Sequence, residues 1–575
     1  MTQDLTQFFT TIALENAAKY AGKTQAKALV GKAVGTHPDL RKDMPALMQQ
    51  LEAAVAKVNA MSLDEQQKLL ASLGHTTEKR AHRDKDELKE LDNAKHGNVV
   101  MRFAPSVSAP HMHIGHAITG GLTSLYCKKY NGKFIFRLED TNSDKIELEA
   151  YTNFPNEAQW IFGNVSEVVI QSDRLELYYK YAKLFLTQGN MYACECSPEK
   201  FKEYVEAQSN CPCRDATPDI QLKRYERMFD KQHGYQEGQV VLRFKSDMKH
   251  PNPAMRDFPL MRINDSAHSK VGTKYRVWPL MNLSVFVDDV EMGMTHIIRA
   301  KDHLDNSKRQ EMMYNAIGKK PPMCYFTGRY NIEGLELSKT KTMEAIAQGK
   351  YTGWDDIRLP FLGPMRRRGY QPGSFLKFSA AVGLSPVDKT ISAEDFFKTL
   401  DAFNKEIIDP IAHRHYVLFD PQQISINNLP QSTDKIELAL HPQDRQAGGR
   451  LFDVNTEVLI EKDDLANVKE GTMVRLMDFC NVIKKGDDFL YASEGYDEYK
   501  NHKGHKIIIH WLPKDPSQHM GIQMLMPDNS VKIGIAEYHV AKHKVDDIVQ
   551  FERFGFARLD EKKNDGSLVF WFAHR

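Results

Sequence analysis

The chain has 575 residues, 41% of them hydrophobic and 27% charged, with 77 basic side chains against 76 acidic ones. A single core stops growing near roughly 250–300 residues, so several domains are expected, and the even charge excludes a global positive field, leaving only a local patch for any RNA contact. No apolar run nears the roughly 18 residues needed to cross a bilayer, the N-terminus MTQDLTQFFTTIALENAAKY lacks a signal-peptide layout, and the seven cysteines, four of them in close pairs, read as reduced thiols, so a cytoplasmic chain with no membrane partner is expected.

Residues 1–95 are rich in Ala, Leu, Lys, Glu and Gln, and Leu47, Leu51, Val55 and Val58 fall at helical spacing, which predicts a small helical domain. The run Lys79-Arg80-Ala81-His82-Arg83 leads into a charged linker. It reads either as a solvated helix face or as a contact for RNA backbone. A nucleotide-binding half is expected over 96–193. Its short apolar run ends in Met101-Arg102-Phe103, a Pro/Ser/Ala loop follows, and Ile114, Ile118, Leu122 and Leu125 lie at helical spacing. Gly132 ends that helix and Phe134 to Leu138 reads as a second strand, giving a βαβ unit with its ligand turn at the carboxyl end of the first strand. The turn carries His113, Gly115 and His116. Histidines three apart share one helix face, Gly115 lets a flat base or a phosphate approach the backbone, and the helix N-terminus adds its unpaired N–H groups, so the turn suits a polyphosphate. Arg137-Leu138-Glu139-Asp140-Thr141-Asn142 ends the second strand in polar groups that serve either a ligand or a helix cap. Residues 174–190 read as an amphipathic helix closed by Gly189-Asn190.

Cys194-Glu195-Cys196, fourteen residues, then Cys211-Pro212-Cys213 form two close thiol pairs joined by a short loop. Four thiolates make a closed tetrahedral site for structural Zn²⁺; the alternative is four unliganded thiols. The segment 194–265 looks like a loop-rich insertion with one clear strand, Val240 to Lys245, and the α/β pattern resumes over 266–345 from Trp278-Pro279-Leu280-Met281-Asn282. Thr295 to Arg299 reads as a strand delivering Arg299-Ala300-Lys301-Asp302-His303 to its carboxyl end, followed by a helix from Asp305 to Ile317. Gly334-Leu335-Glu336-Leu337-Ser338-Lys339-Thr340-Lys341-Thr342 reads as a loop whose two lysines can swing onto a triphosphate. A helical pattern over 346–428 holds the densest basic cluster, Met365-Arg366-Arg367-Arg368-Gly369-Tyr370, and beyond 429 short β-prone runs at regular spacing predict all-β barrels.

Taken together, RFAPSVSAPHMHIGHA, FRLEDTN, RVWPL, VDD, IIRAKDHLDNS, IEGLELSKTKT, MRRRGY and VQFERFGFARLD resemble, in order and spacing, the archaeal-type glutamyl-tRNA synthetases, class I enzymes whose anticodon-binding part is shared with glutaminyl-tRNA synthetases. The resemblance implies a multidomain architecture. Its parts are an α/β Rossmann-like catalytic core with an inserted domain, helical N-terminal and stem-contact regions, and C-terminal all-β barrels. The implied activity is ATP-dependent ligation of L-glutamate to tRNA(Glu), with Mg²⁺ accompanying ATP; the same site charging tRNA(Gln), or a glutaminyl enzyme, is the alternative, and a monomer is expected. His113, Gly115, His116, Ser338 and Lys339 would bind ATP. His113, His116, Lys339 and Lys341 would act in catalysis, and Arg102, Glu139 and Arg299 would hold glutamate. The insertion would grip the acceptor end of tRNA and the barrels would read the anticodon.

Arg299 carries the implied choice of substrate, because the matching position in glutaminyl enzymes is uncharged. Two departures from the family pattern stand out. The loop before His113 is one residue longer than usual, which brings His111 into competition for the same role, and Met281 occupies a position commonly held by a substrate-touching tyrosine. Outside this family, a small-molecule nucleotidyltransferase with the same histidine turn would not need the long helical and β extension, and a silent RNA-binding protein would not need both charged signatures.

Overall fold

The structure, a computed structural model, describes residues 2–17, 22–73, 88–143, 146–430 and 435–575. The basic run Lys79-Arg80-Ala81-His82-Arg83 lies outside these residues. The chain separates into a unit of residues 1–87 and a unit of residues 88–575. Within the first, helices span Thr2–Ala17, Ala26–Thr36, Met44–Asn59 and Leu63–Ser72. The predicted stripe is the core here: Leu47, Leu51 and Val58 are buried with Phe9, Leu14, Leu29 and Leu70, and Val55 packs at its margin. Asp43 starts the third helix by accepting a hydrogen bond from the Ala46 N–H, one of the donors a helix leaves free at its first turn.

The second unit is built on a parallel sheet in which Val100–Phe103 pairs with Lys133–Leu138, and that strand with Glu167–Ile170. A second parallel pair joins His296–Ala300 to Met323–Thr327. The two pairs meet where the Thr295 N–H donates to the Val100 carbonyl at 3.0 Å and the Val100 N–H to the Thr295 hydroxyl at 2.9 Å. Strand order therefore reverses between Val100–Phe103 and His296–Ala300, and open α/β sheets bind ligands beside such a reversal, beyond the carboxyl ends of the strands. The crossover helix Ile114–Lys129 covers the sheet with Ile114, Ile118, Leu122 and Tyr126 buried. Gly121 lets the helix Pro372–Val382 pack closely on it, since a Cβ there would lie 2.3 Å from the Ser379 hydroxyl oxygen.

The insertion differs from its sequence reading. Rather than loops around one strand, it holds a four-stranded antiparallel sheet of Met191–Cys194, Val241–Phe244, Pro259–Ile263 and Val277–Pro279. The last strand, which looked like the return of the α/β pattern, closes this sheet instead. Strands of three to five residues with Pro at their ends show too little alternation to be seen in sequence. The helical pattern expected over 346–428 includes one short strand, Lys389–Ser392, and ends at Ile408; the β structure of the C-terminal sheets starts at His413, ahead of the composition change at 429.

Two seven-stranded sheets complete the unit. One runs from His413–His415 through Ile548–Phe551, Gly555–Lys562, Leu568–His574, His519–Leu525 and Val531–Glu537 to Val417–Leu418. Its two outer strands are neighbours in the chain, with Tyr416 alone between them, so the sheet curls until its edges share one segment. The other does the same through Lys506–Ile509 and Leu512–Pro513. Closure of this kind removes exposed edges, as expected for barrels.

Candidate active site

A cavity of about 520 Å³ opens at the strand reversal, lined by Arg102, His113, Gly115, His116, Glu139, Met281 and Arg299 among others. Arg102 and Arg299 sit near the carboxyl ends of the two strands that diverge there. Beneath them lies a buried charge network whose pairings do not show in the sequence. Arg137, completely buried in the central strand, donates to Asp289 at 2.8 Å and lies 3.5 Å from Glu139 and 3.7 Å from Asp288. Arg102 reaches Asp289 at 3.3 Å, and Asp288 accepts from Arg174, Gln171 and Tyr178 at 2.8–2.9 Å. Buried charge is tolerated only when paired in this way. One arginine within the apolar run Phe134 to Leu138, and a largely apolar helix, Met281–Glu291, carrying two adjacent acids, are the signal for it.

Burial alone would raise the Asp289 carboxyl, but Arg102, Arg137 and Arg299 outweigh it and hold it below the usual range. Glu139 goes the other way, with burial holding its carboxyl up against the pull of Arg137 and Arg102. Arg299 is exceptional. Burial, and then the nearby Arg102 charge, lower it to about 10, and its hydrogen bonds go to neutral oxygens, Ser307 at 2.9 Å and Gln310 at 3.0 Å. Among the described residues, no carboxylate makes an ion pair with it. At neutral pH it remains a cation facing a cavity.

The histidine turn is strapped in place from outside the βαβ unit. The Ile114 N–H donates to Pro360 and the Leu362 N–H to Met112, while Glu157 accepts from the Met112 N–H at 2.8 Å. His111 sits 2.6 Å from that same Glu157, away from the cavity, whereas His113 opens the helix and lines the cavity. The His113 and His116 rings stack with centroids 3.8 Å apart. The His113 N–H donates to His116 Nδ1 at 3.2 Å, so the neutral His116 ring carries its hydrogen on Nε2. His113 Nδ1 is buried without a protein partner among the described residues. Burial lowers the His113 pKa to about 4, and burial with the His113 charge pushes His116 well down. Both rings are therefore neutral at pH 7. Gly115 has a further role here, because a Cβ on it would lie 2.9 Å from the His113 ring.

The lysine segment is not the free loop that was expected. Lys339 begins a helix, Lys339–Ala347, whose turn is fixed by the Thr342 hydroxyl donating to the Ser338 carbonyl. Lys339 pairs with Glu147 at 2.9 Å and Lys341 with Glu336 at 3.1 Å. Of this segment Leu337 lines the cavity; Ser338, Lys339 and Lys341 do not. Lys339 is nonetheless close to the histidine turn, since the Glu147 N–H donates to Val107 in the loop leading to His113.

Cys194, Cys196, Cys211 and Cys213 converge, their sulfurs all within 4.8 Å of one another. The Cys194–Cys211 and Cys196–Cys213 separations are 3.9 Å each. Sulfurs at about 2.3 Å from a tetrahedral zinc stand about 3.8 Å apart, so the donor set fits that ion.

Residues 98–410 match the family model described as tRNA synthetases class I (E and Q), catalytic domain, and residues 412–491 and 508–560 match models of the anti-codon binding domain of the same group. The chain is 38% identical to the glutamate–tRNA ligase of Methanothermobacter marburgensis over 575 residues, all of both chains. It is 40% identical to that of Methanocaldococcus jannaschii over 98% of this chain and 99% of the relative. A solved glutamate-tRNA synthetase from Elizabethkingia anophelis is similar over 55% of this chain and 71% of its own, at 19% identity and a TM-score of 0.38.

Proposed function

The chain belongs to the class I tRNA synthetases for E and Q, and we propose that within that family it joins L-glutamate to tRNA(Glu) at the expense of ATP. One observation carries the choice of amino acid. At the strand reversal four guanidinium groups, Arg102, Arg137, Arg174 and Arg299, meet three carboxylates, Glu139, Asp288 and Asp289, and the surplus cation is the cavity-facing Arg299. Glutamate, with two carboxylates and one ammonium, carries the single negative charge that balances it. Glutamine is neutral overall and would leave the guanidinium unmatched. Breaking a buried ion pair costs about 3–5 kcal/mol, which is roughly a hundredfold or more in selectivity. Glu139, on the same wall, is suited to the ammonium group.

In the reaction, a substrate carboxylate oxygen attacks the α-phosphorus of ATP, the bond to the bridging oxygen breaks, and pyrophosphate leaves. The terminal ribose hydroxyl of tRNA then takes the glutamyl group and releases AMP. The protein need not supply a covalent nucleophile, because positioning and electrostatic stabilisation dominate such transfers. The His113 and His116 rings, held neutral by burial, offer hydrogen bonds to phosphate without adding a fixed charge. Lys339 and Lys341 are held by carboxylates that a triphosphate, arriving with Mg²⁺, can replace; partly exposed pairs of this sort are worth about 1 kcal/mol or less. The cysteine cluster supports structural zinc, since four thiolates leave no open position for chemistry.

Pyrophosphate exchange and tRNA charging, run with purified tRNA(Glu) and tRNA(Gln) and with each amino acid in turn, test this reading. Glutamate-dependent charging of tRNA(Glu) with no glutamine transfer is the expected result, and the tRNA(Gln) arm reads whether the barrels accept the second anticodon. Glutamine-dependent charging would overturn it.

A further inference from the structure

Away from the catalytic cavity, three imidazoles converge at the seam of the C-terminal barrel. His413 and His415 lie two apart on one strand and so share a face, and His543 lies in the turn joining Val531–Glu537 to Ile548–Phe551; one nitrogen of each lies within 4.8 Å of the others. The His415 and His543 Nε2 atoms face each other at 2.9 Å. Each ring is anchored at its other nitrogen by a carboxylate. His415 Nδ1 is 2.6 Å from Glu537, and His543 Nδ1 is 3.2 Å from Asp547. Glu537 also accepts from the Arg450 guanidinium at 2.5 Å and the Tyr416 N–H at 3.0 Å, and Asp547 accepts the Lys544 N–H at 2.9 Å, so both act as acceptors.

These anchors fix the tautomers. With Nδ1–H donated to a carboxylate, the neutral ring presents a lone pair at Nε2. Two lone pairs pointed at each other across 2.9 Å repel unless a cation lies between them. A carboxylate–histidine pair is also the arrangement that orients imidazole ligands around zinc, and it occurs here twice, with a third imidazole alongside.

We propose that His413, His415 and His543 bind a transition-metal ion of the zinc type. Three nitrogens leave a fourth position for water, and an imidazole set excludes the oxygen-preferring Mg²⁺ and Ca²⁺. Nitrogens at about 2.0–2.1 Å from a tetrahedral ion stand about 3.3 Å apart, which asks the facing pair to open by about 0.4 Å. The ion would act as a staple. Ladder pairing switches from Ile548–Phe551 to Val531–Glu537 across Tyr416, and the turn carrying His543 joins those two strands, so the metal would tie the closing segment to that turn where the ladder is interrupted.

The test is zinc titration of the full chain, stripped of metal, against a chromophoric chelator, with Co²⁺ spectra as a second readout. Wild type is expected to bind one equivalent more than His413→Gln or His543→Gln, and the component those variants lose should lack a thiolate charge-transfer band, which separates it from the cysteine site. Asp547→Asn is expected to weaken that equivalent about 10–100-fold. His413→Gln leaves both carboxylate anchors in place, and an unchanged circular dichroism spectrum guards against misfolding. Equal stoichiometry and affinity in wild type and all three variants would overturn the proposal, leaving a shared proton as the only cation between the rings.

Discussion

Gly115 offers a sharp separation of activity from stability. It stands in the first turn of the helix that carries His116, where alanine gains about 1 kcal/mol of helix propensity over glycine. The added methyl, however, would press on the His113 ring from 2.9 Å and push it out of its stack with His116. Misplacing a reacting group by an ångström can cost about 100-fold, so Gly115→Ala is expected to lose about that much in kcat with the melting temperature unchanged or raised. Steady-state kinetics beside a thermal melt reads both; retained activity would detach the histidine stack from catalysis. His113, Gly115 and His116 stand out in sequence because their types and spacing fit a phosphate-binding turn, and in the structure all three line the cavity. Sequence does not reveal Arg137, Asp288 and Asp289 as a network. Their meaning depends on burial and on which strands and helices become neighbours, and Asp289 is 152 residues from the arginine it pairs with.

At the level of single elements, the clearest expectations concern the cysteine loop and a barrel histidine. If the four thiols hold zinc, metal-loaded protein should expose none of them to a thiol reagent, and chelation should make four more of the seven cysteines reactive and lower the melting temperature. Equal reactivity with and without metal would restore the reading of free thiols. His510 sets a pH limit. Its Nε2–H donates to the Val417 carbonyl at 2.6 Å and its Nδ1 accepts from Arg553 at 3.2 Å, which leaves no place for a second proton. Burial, against the help of that carbonyl, lowers its pKa to about 4. The unfolded chain, with a histidine pKa near 6.5, binds the proton more readily, so this contribution is fully present above about pH 6.5 and is lost as pH falls towards 4. It amounts to about 3 kcal/mol. Denaturant midpoints followed between pH 7 and pH 4.5 should fall more for wild type than for His510→Gln. The lysine segment shows the opposite of a legible element: entered through Gly334 it reads as a loop, yet Ser338 and Thr342 wind Lys339 and Lys341 into a first helical turn.

Across the whole second unit, the order of events in the chain explains where the site lies. The Rossmann-like core was readable because its βαβ pattern alternates on a long period, and the barrels because their strands recur between turn residues. The four-stranded inserted sheet was not, since each of its strands is short and gains its identity only from partners up to some fifty residues away. Reversal of strand order between Val100–Phe103 and His296–Ala300 brings Arg102 and Arg299, nearly two hundred residues apart, to one cavity. The proposed choice of glutamate rests on the one cation left over when the four arginines there meet three carboxylates. Replacing Arg299 with glutamine and measuring kcat/KM for glutamate, beside KM for ATP, in the presence of tRNA(Glu) puts that inference to the test. A fall of about 100-fold or more for glutamate with KM for ATP unchanged is expected; unaltered glutamate kinetics would mean that Arg299 does not choose the substrate.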